Sequence, residues 1–531
     1  MDGLPLLGAE PDAFGILQTP PLDLERAEVI KGAASALYGA SALAGVLNLK
    51  SRVPNSDSSV LASVDSNGGR QASAFLTAPG AGWSGTLMAS VDSQSRKDVD
   101  SDGWTDLPFH RRFTFRPRLW WNPAQDQSLF VTAGIMDEDR RGGTTPSAAL
   151  PEGYPFSESL HTQRFDAGAV SHSDIESGSL DGHFSFTWVH KDSTFGPLRA
   201  NPILRTGYAE EAWSDRVHGH ILVLGVAFQH DDLSEGSLRG VGYNYNVPAF
   251  FAQDEFAPKD WLTIAGSVRV DIHNRYGTFV SPHLSALLHG DGPWSLRASV
   301  ARGFSAPTPQ VEEIESTSLA ALLPIRNLHA ERATSSSLDL RRASGGWEVN
   351  ASIFISEVRG PIDAVRVGNL FELLNGPGSR RVPGEEVVVL YRRGSLESIA
   401  SWTHLHVTQT PEAGVPALVP LVPINSARLG TILKLKGRGR VGLEVEYTGP
   451  QSLEGDPYRN ESPGFVELNA LTEIRLGRLR VFANALNLTN VRQSHWDPLL
   501  RPTPGPGGNP ITDAWAPLVG RTFNAGIRAD L

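Results

Sequence analysis

Residues 262–273 read Leu262-Thr263-Ile264-Ala265-Gly266-Ser267-Val268-Arg269-Val270-Asp271-Ile272-His273. Leu262, Ile264, Val268, Val270 and Ile272 fall on one side of an extended chain, with Thr263, Ser267, Arg269, Asp271 and His273 on the other. A period of two is the mark of a strand with one apolar face; a helix would repeat every 3.6 residues. The same alternation returns on both sides. Phe113, Phe115, Leu119 and Trp121 oppose Arg112, Thr114, Arg116 and Arg118. Trp347, Val349, Ala351, Ile353 and Ile355 oppose Glu348, Asn350, Ser352 and Ser356. Similar faces occur at 183–190, 294–301, 441–448 and 466–476, and Phe523, Ala525, Ile527, Ala529 and Leu531 share a face at the end of the chain.

Two environments produce such strands. In a soluble sandwich the apolar face is the core. In a membrane barrel it meets lipid, and the polar face lines a wet lumen. Length and connections favour the barrel. The strands read at about ten residues, enough to cross a bilayer at a tilt, whereas soluble strands average about five or six. Tight turns at 79–82, 122–126, 257–259, 290–293, 437–439 and 477–478 alternate with long polar loops near 93–110, 139–162, 303–334, 357–384, 449–462 and 488–519. Long loops at one end and tight turns at the other are the habit of outer-membrane barrels. Trp120, Trp121, Trp188, Trp261, Trp294, Trp347 and Trp402 lie near strand ends, as interfacial girdles do. The pattern gives about 21 or 22 strands. It breaks once, where 192–215 and 232–246 both read as long loops around the strand near 216–231. An even, closed barrel needs another crossing there, hidden in 196–215 or lost to a shortened hairpin.

Composition fits and excludes. The 531 residues carry 47 Lys+Arg, 58 Asp+Glu, a net charge of −11 and no cysteine. Length alone would suggest roughly three domains. A 40% hydrophobic content is modest, and 53 Gly with 37 Pro favour turns over long helices. Without cysteine there is no disulfide framework, thiolate metal site or thiol catalysis. The acidic balance argues against nucleic-acid binding. Residues 1–30 carry no signal-peptide pattern. The uncharged stretch 32–49 is too rich in Gly and polar residues for a spanning helix.

Residues 1–54 stand apart and read as a small α/β piece with a Gly-rich turn. The stretch Leu24-Glu25-Arg26-Ala27-Glu28-Val29-Ile30-Lys31-Gly32, then Ser35-Ala36-Leu37-Tyr38-Gly39 and Gly45-Val46-Leu47-Asn48-Leu49, resembles the end of the plug domain of TonB-dependent outer-membrane receptors. Asp2-Gly3-Leu4-Pro5 is similar to an earlier plug strand. Arg302-Gly303-Phe304-Ser305-Ala306-Pro307-Thr308, Asn327-Leu328-His329-Ala330-Glu331, Asn487-Leu488-Thr489-Asn490 and Gly520-Arg521-Thr522-Phe523 resemble barrel segments of that family, in the right order. A phosphate loop is excluded, because the Gly-Lys-Ser/Thr ending is missing.

The resemblance implies a mainly β fold: a large antiparallel transmembrane β-barrel of about 22 strands (55–531) with a partial α/β plug (1–54). It implies a bacterial outer-membrane receptor, not an enzyme, with no catalytic residue and no cofactor. The expected cargo is a ferric siderophore, with cobalamin, haem or a saccharide as alternatives. The implied partners are the TonB energy-coupling protein, outer-membrane lipid and the barrel-assembly machinery. The plug motif residues are Glu25, Glu28, Lys31, Gly32, Tyr38, Gly39 and Gly45. Basic plug residues of the family face barrel glutamates, which implies pairing of Lys31 with Glu331 and Glu386. Two departures stand out. The chain starts inside the plug, without signal peptide or TonB-binding segment, which suggests a truncated gene model or a fragment. Leu531 stands where the family usually ends in an aromatic residue.

A passive porin or surface-binding barrel is a second reading, opposed by the plug-like start. A soluble β enzyme or propeller is a third, but no repeat of about 40–45 residues is visible. Trp104, Tyr276, Phe304, Tyr458, His495, Trp496 and Trp515 are candidates to face a ligand from the loops, with ordinary loop packing as the alternative. Asp98, Asp100, Asp102 and Gly103 begin like a calcium loop, but Phe109 replaces the closing Glu, which excludes an EF-hand. With Asp106 they form either an outer-loop cation site or a solvated acidic loop. His218/His220 and His404/His406 read as lumen-facing pairs on strands.

Overall fold

The computed structural model describes residues 1–6, 13–32, 43, 45–54, 57–145, 155–236, 238, 240–311, 318–376, 378–410, 417–503 and 510–531, with side chains in the first helix from residue 15. Tyr38 and Gly39 of the plug motif lie outside them.

The period-two segments form a closed antiparallel barrel of 22 strands. Strand Thr522–Asp530 pairs with Ser59–Asp65, from Asn524 opposite Asp65 to Asp530 opposite Ser59, and closes the ring. Closure leaves no unpaired edge, which a sheet surrounded by lipid requires. One rim carries tight turns, such as 79–82, 176–177, 218–219, 345–346 and 477–478. The other carries the long connections 95–108, 144–156, 306–330, 360–378, 449–464 and 487–521, with short ones only at places such as 66–69 and 274–276.

The outside of the barrel is apolar. Phe113, Leu119, Ile135, Phe250, Val280 and Ile353 are exposed, while inward-facing Phe75 and Met88 are fully buried. Trp83, Trp121, Trp261, Trp294 and Trp347 lie beside tight turns, each at least half exposed, and mark one membrane interface. Trp120 instead turns inward and packs on Phe130, 5.0 Å between ring centres.

The crossing that the pattern concealed is Ile203–Val217. It pairs along its length with Gly178–Phe195 and with His220–Ser234. Its Glu211 lies opposite Val226, Ala209 opposite Phe228, and Trp213 opposite Leu224, so these positions share the lipid side. With Arg205, Gly207, Ala209, Glu211 and Asp215 on that side, alternation in hydropathy fades although alternation in space persists.

Strand lengths run from 7 residues at Ser59–Asp65 to 19 at Ser157–Ile175, rather than a uniform ten. The long strands rise past the bilayer on the long-loop side. There the outer face no longer needs to be apolar, and Asp137, Asp139 and Arg141 occupy it on strand Gln127–Gly143.

Inside the lumen sits the N-terminal segment. It comprises a short helix, Ala13–Leu17, a 3-10 turn, Pro21–Asp23, and a hairpin of β1 (Leu24–Lys31) with β2 (Gly45–Ser51). Lys31 pairs with Gly45 at the hairpin's tip, where the connection from β1 to β2 begins, and Leu24 pairs with Ser51 at its open end. Gly45 has φ +139°, and a Cβ there would lie 2.3 Å from the Ile30 carbonyl oxygen, so this position demands glycine.

Candidate functional site: plug seam and loop vestibule

The inward faces of strands Phe109–Ala124, Gln127–Gly143 and Ser157–Ile175 carry the arginines that alternation places opposite Phe113 and Phe115. Arg118 grips the plug. Its Nη1 and Nη2 donate to the two carboxylate oxygens of Asp23, both at 2.6 Å, and both side chains are almost fully buried. Such a forked pair fixes orientation as well as charge. Asp2 lies 3.8 Å from Arg118 Nε and accepts from the Ser51 amide and hydroxyl, which ties the first residues to β2. Gln18 forms a second bridge. It accepts from Arg164 Nη1 at 3.0 Å and donates to Glu138 at 3.3 Å. Glu138 is held in turn by Arg112 and Arg140, and Arg116 forks onto Asp166. Below this network Met1, Leu4, Leu6 and Leu49 pack against Phe130 and Val170 of the barrel wall.

The opposite side of the plug is held differently. Lys31 Nζ pairs with Glu386 of strand Ser379–Arg393, and the lysine side chain is 63% exposed. Glu331 does not meet Lys31. It accepts the Ile362 amide at 2.8 Å and anchors a loop hairpin of strands Ile362–Val367 and Leu370–Asn375. Gly32 (φ +80°) lies against the wall: a Cβ there would stand 3.5 Å from Ser335 Cβ. Glu25 and Glu28 stay within the plug. Arg26 bonds Glu28, and Asn48 donates to Glu28 at 2.9 Å. The Arg26 guanidinium holds the Glu28 carboxyl below its ordinary range.

Sequence reasoning passed over Asp23 and Arg118. One signal was available: Arg112, Arg116 and Arg118 share a lumen face and each needs a carboxylate, which neighbouring strands supply for Arg112 and Arg116 and the plug supplies for Arg118.

At the long-loop rim the aromatic candidates separate. Trp104 is buried against Phe156, and Phe304 stacks on Phe279 at 3.9 Å. Trp515 is buried beside Trp496. These three serve loop packing rather than an open surface. Tyr276 joins Tyr245 and His273 in an aromatic cluster, and Tyr245 donates to the Pro307 carbonyl at 2.6 Å. His495 bonds Arg492, whereas Tyr458 and Trp496 remain exposed at the mouth.

Asp98, Asp100 and Asp106 bring one carboxylate oxygen each within 4.8 Å of one another; Asp102 is not in that group and accepts the Trp104 amide. Burial pushes Asp106 up to about 6, with Asp100, Asp102 and Asp98 adding to the effect.

The histidine pairs do not form as read. His218 sits in a turn with φ +52°. His220 lies on the outer face at the tight-turn rim, stacked on Phe256 and bonded to Asp254. His404 shares the outward parity of Trp402 and bonds Asn425, while His406 lies past the strand end. Turn geometry moves one member of each pair off the strand, and parity turns the other to the exterior.

A 22-stranded barrel whose lumen holds a folded, salt-bridged segment is a plugged outer-membrane receptor barrel. Residues 48–488 match the family model described as TonB dependent receptor-like, beta-barrel, and residues 1–46 match the TonB-dependent Receptor Plug Domain. The chain belongs to the TonB-dependent receptor family, a family of outer-membrane receptors rather than enzymes. It is 26% identical over 319 residues to an iron-regulated outer membrane virulence protein of Vibrio cholerae, covering 57% of this chain and 48% of the relative. It is 29% identical over 204 residues to a ferrioxamine receptor of Yersinia enterocolitica, covering 38% and 27%. The chain thus spans about half the length of the Vibrio relative. In fold it is similar to a ferric enterobactin receptor of Pseudomonas aeruginosa, with TM-score 0.78 and 16% identity over 97% of this chain and 86% of that one. A siderophore receptor of Acinetobacter baumannii gives TM-score 0.79 and 14% identity over 97% and 86%.

Proposed function

We propose that the protein imports a ferric siderophore across the outer membrane, energised by TonB acting on the plug. The observation that carries this reading is the plug itself, held in the lumen by Arg118–Asp23 on one wall and Lys31–Glu386 on another. A passive porin has no use for a folded stopper with buried charge pairs. A transporter needs a stopper that stays closed at rest and moves under load. The mouth above it offers the exposed rings of Tyr458 and Trp496, suited to a planar chelate, while Tyr245 is buried with Tyr276 packed against it. The names of the relatives, an iron-regulated protein and a ferrioxamine receptor, support iron over cobalamin, haem or saccharide. The plug motif (Glu25, Glu28, Lys31, Gly32, Gly45) is then the moving part, and the barrel exterior is the surface that lipid and the barrel-assembly machinery meet.

The test is growth of a deletion strain on single iron sources, with ferrioxamine, ferric enterobactin, haem, cobalamin and an oligosaccharide as separate arms. The expected result is a defect on one ferric siderophore, rescued by the gene and lost again without TonB. A defect only on cobalamin or saccharide, or rescue independent of TonB, would overturn the reading.

A further inference from the structure

On the outside of the barrel, where the chain's ends meet, an open groove of about 490 Å³ is cut into the lipid-facing surface. Registers define it. One row across the sheet runs Ile527–Ala62–Ala72–Val91, and the next runs Ala525–Val64–Arg70–Ser93–Arg111. Val64, Val91 and Ile527 are half exposed or more, which sets this parity on the exterior. Alanines at 62, 72 and 525 stand between these larger neighbours, so the trough comes from missing side-chain volume.

Two arginines close its upper end. Arg70 and Arg111 flank Ser93 on successive strands, about 10 Å apart at strand spacing. Both side chains are exposed, and among the described residues neither guanidinium makes a hydrogen bond or an ion pair, although the charge of Arg111 acts on the nearby Asp137 carboxylate. The carboxylates near Arg111 are already engaged: Asp139 pairs with Arg141, and Asp137 with His161 and Gln163. Height completes the argument. Arg111 lies about ten residues up its strand from Trp121, and Ser93 about ten from Trp83, the length of strand that crosses a bilayer. Trp83 and Trp121 mark the tight-turn interface, so the arginine row stands at the opposite interface, at headgroup level.

We propose that this groove is a lipid site: an acyl chain lies along the alanine trough, and its phosphorylated headgroup is held by Arg70 and Arg111. The occupant is a phosphate-bearing lipid of the outer leaflet. A trough floored by alanines between larger apolar side chains suits a hydrocarbon chain, and paired guanidinium groups match phosphate oxygens. The site lies outside the lumen and is independent of the cargo path.

The full chain, folded in detergent, is titrated with bis-phosphorylated lipid A and read by native mass spectrometry. One lipid is expected to remain bound. Arg70→Ala/Arg111→Ala should weaken it at least tenfold, and Ala72→Phe, which fills the trough, should do the same. Dephosphorylated lipid A should bind at least tenfold more weakly, and millimolar inorganic phosphate should not displace the lipid. Heat-modifiable gel migration checks that each variant is folded. Unchanged binding in either variant, equal binding of the dephosphorylated lipid, or displacement by phosphate alone would overturn the proposal.

Discussion

Arg118 and Asp23 show how much one buried pair controls. Removing Arg118 strips the buried plug carboxylate of Asp23 of its forked partner, whereas removing Asp23 leaves Arg118 only the longer contact to Asp2. Such a loss costs about 3–5 kcal/mol. Arg118→Leu should therefore loosen the plug, read as faster hydrogen exchange across residues 24–31 and 45–51, while the barrel strands keep their protection. Asp23→Leu/Arg118→Leu should recover most of the loss, because neither charge then remains. Asp106 offers a second residue-scale test. Its carboxyl is raised from 3.8 to about 6, chiefly by burial. A raised acid favours the folded loop while protonated. That contribution is complete below 3.8 and is lost as pH climbs to about 6. Exchange in loop 95–108, corrected for intrinsic rates, should be slower at pH 4 than at pH 7, and Asp106→Asn should remove the difference. Plug and loop differ in legibility too. Alternation puts Arg118 on the lumen face, but nothing periodic points to its partner Asp23, 95 residues away, whereas the acidic run 98–106 is local and visible at once.

Strands were readable where their outer face had to satisfy lipid, and unreadable where it did not. Leu262–His273 carries its fold in plain alternation. Ile203–Val217 pairs as fully, yet Glu211 stands on its lipid side opposite Val226 and beside Gly182. Charge on that face costs stability, more at the midplane than near the rim. Two residues from Trp213, Glu211→Leu should stabilise the folded barrel by on the order of 1 kcal/mol in a denaturant titration in lipid vesicles. A loss of stability would mean that Glu211 has a structural task that the register does not reveal. The β1–β2 hairpin gives the opposite case. At Gly45 the backbone is left-handed and a Cβ would strike the Ile30 oxygen. Gly45→Ala should cost about 1–3 kcal/mol, confined to the plug. The loop aromatics were less legible than either, because whether Trp104 or Trp496 faces the mouth depends on loop packing rather than on chain pattern.

At the scale of the whole molecule the plug is attached unevenly. One flank meets the barrel through the buried Arg118–Asp23 fork, the Gln18 bridges and the apolar cluster of Met1, Leu4, Leu6 and Leu49. Among the described residues the other flank is held by Lys31–Glu386, whose lysine is mostly exposed, and by the approach of Gly32 to Ser335. An exposed pair contributes about 0–1 kcal/mol, far below the cost of stripping a buried one. Under load the hairpin tip should leave strand Ser379–Arg393 first, with the Arg118 wall as the pivot. The absence of cysteine makes the test clean, since any introduced pair is the only thiol pair present. Lys31→Cys/Glu386→Cys, joined by a short bis-maleimide, should abolish siderophore uptake without reducing binding at the mouth. Asp23→Cys/Arg118→Cys, joined the same way, should restore the pivot and retain at least half of the uptake. If the second cross-link blocks uptake and the first does not, the plug moves from the other wall, and the strength of its attachments does not set its path.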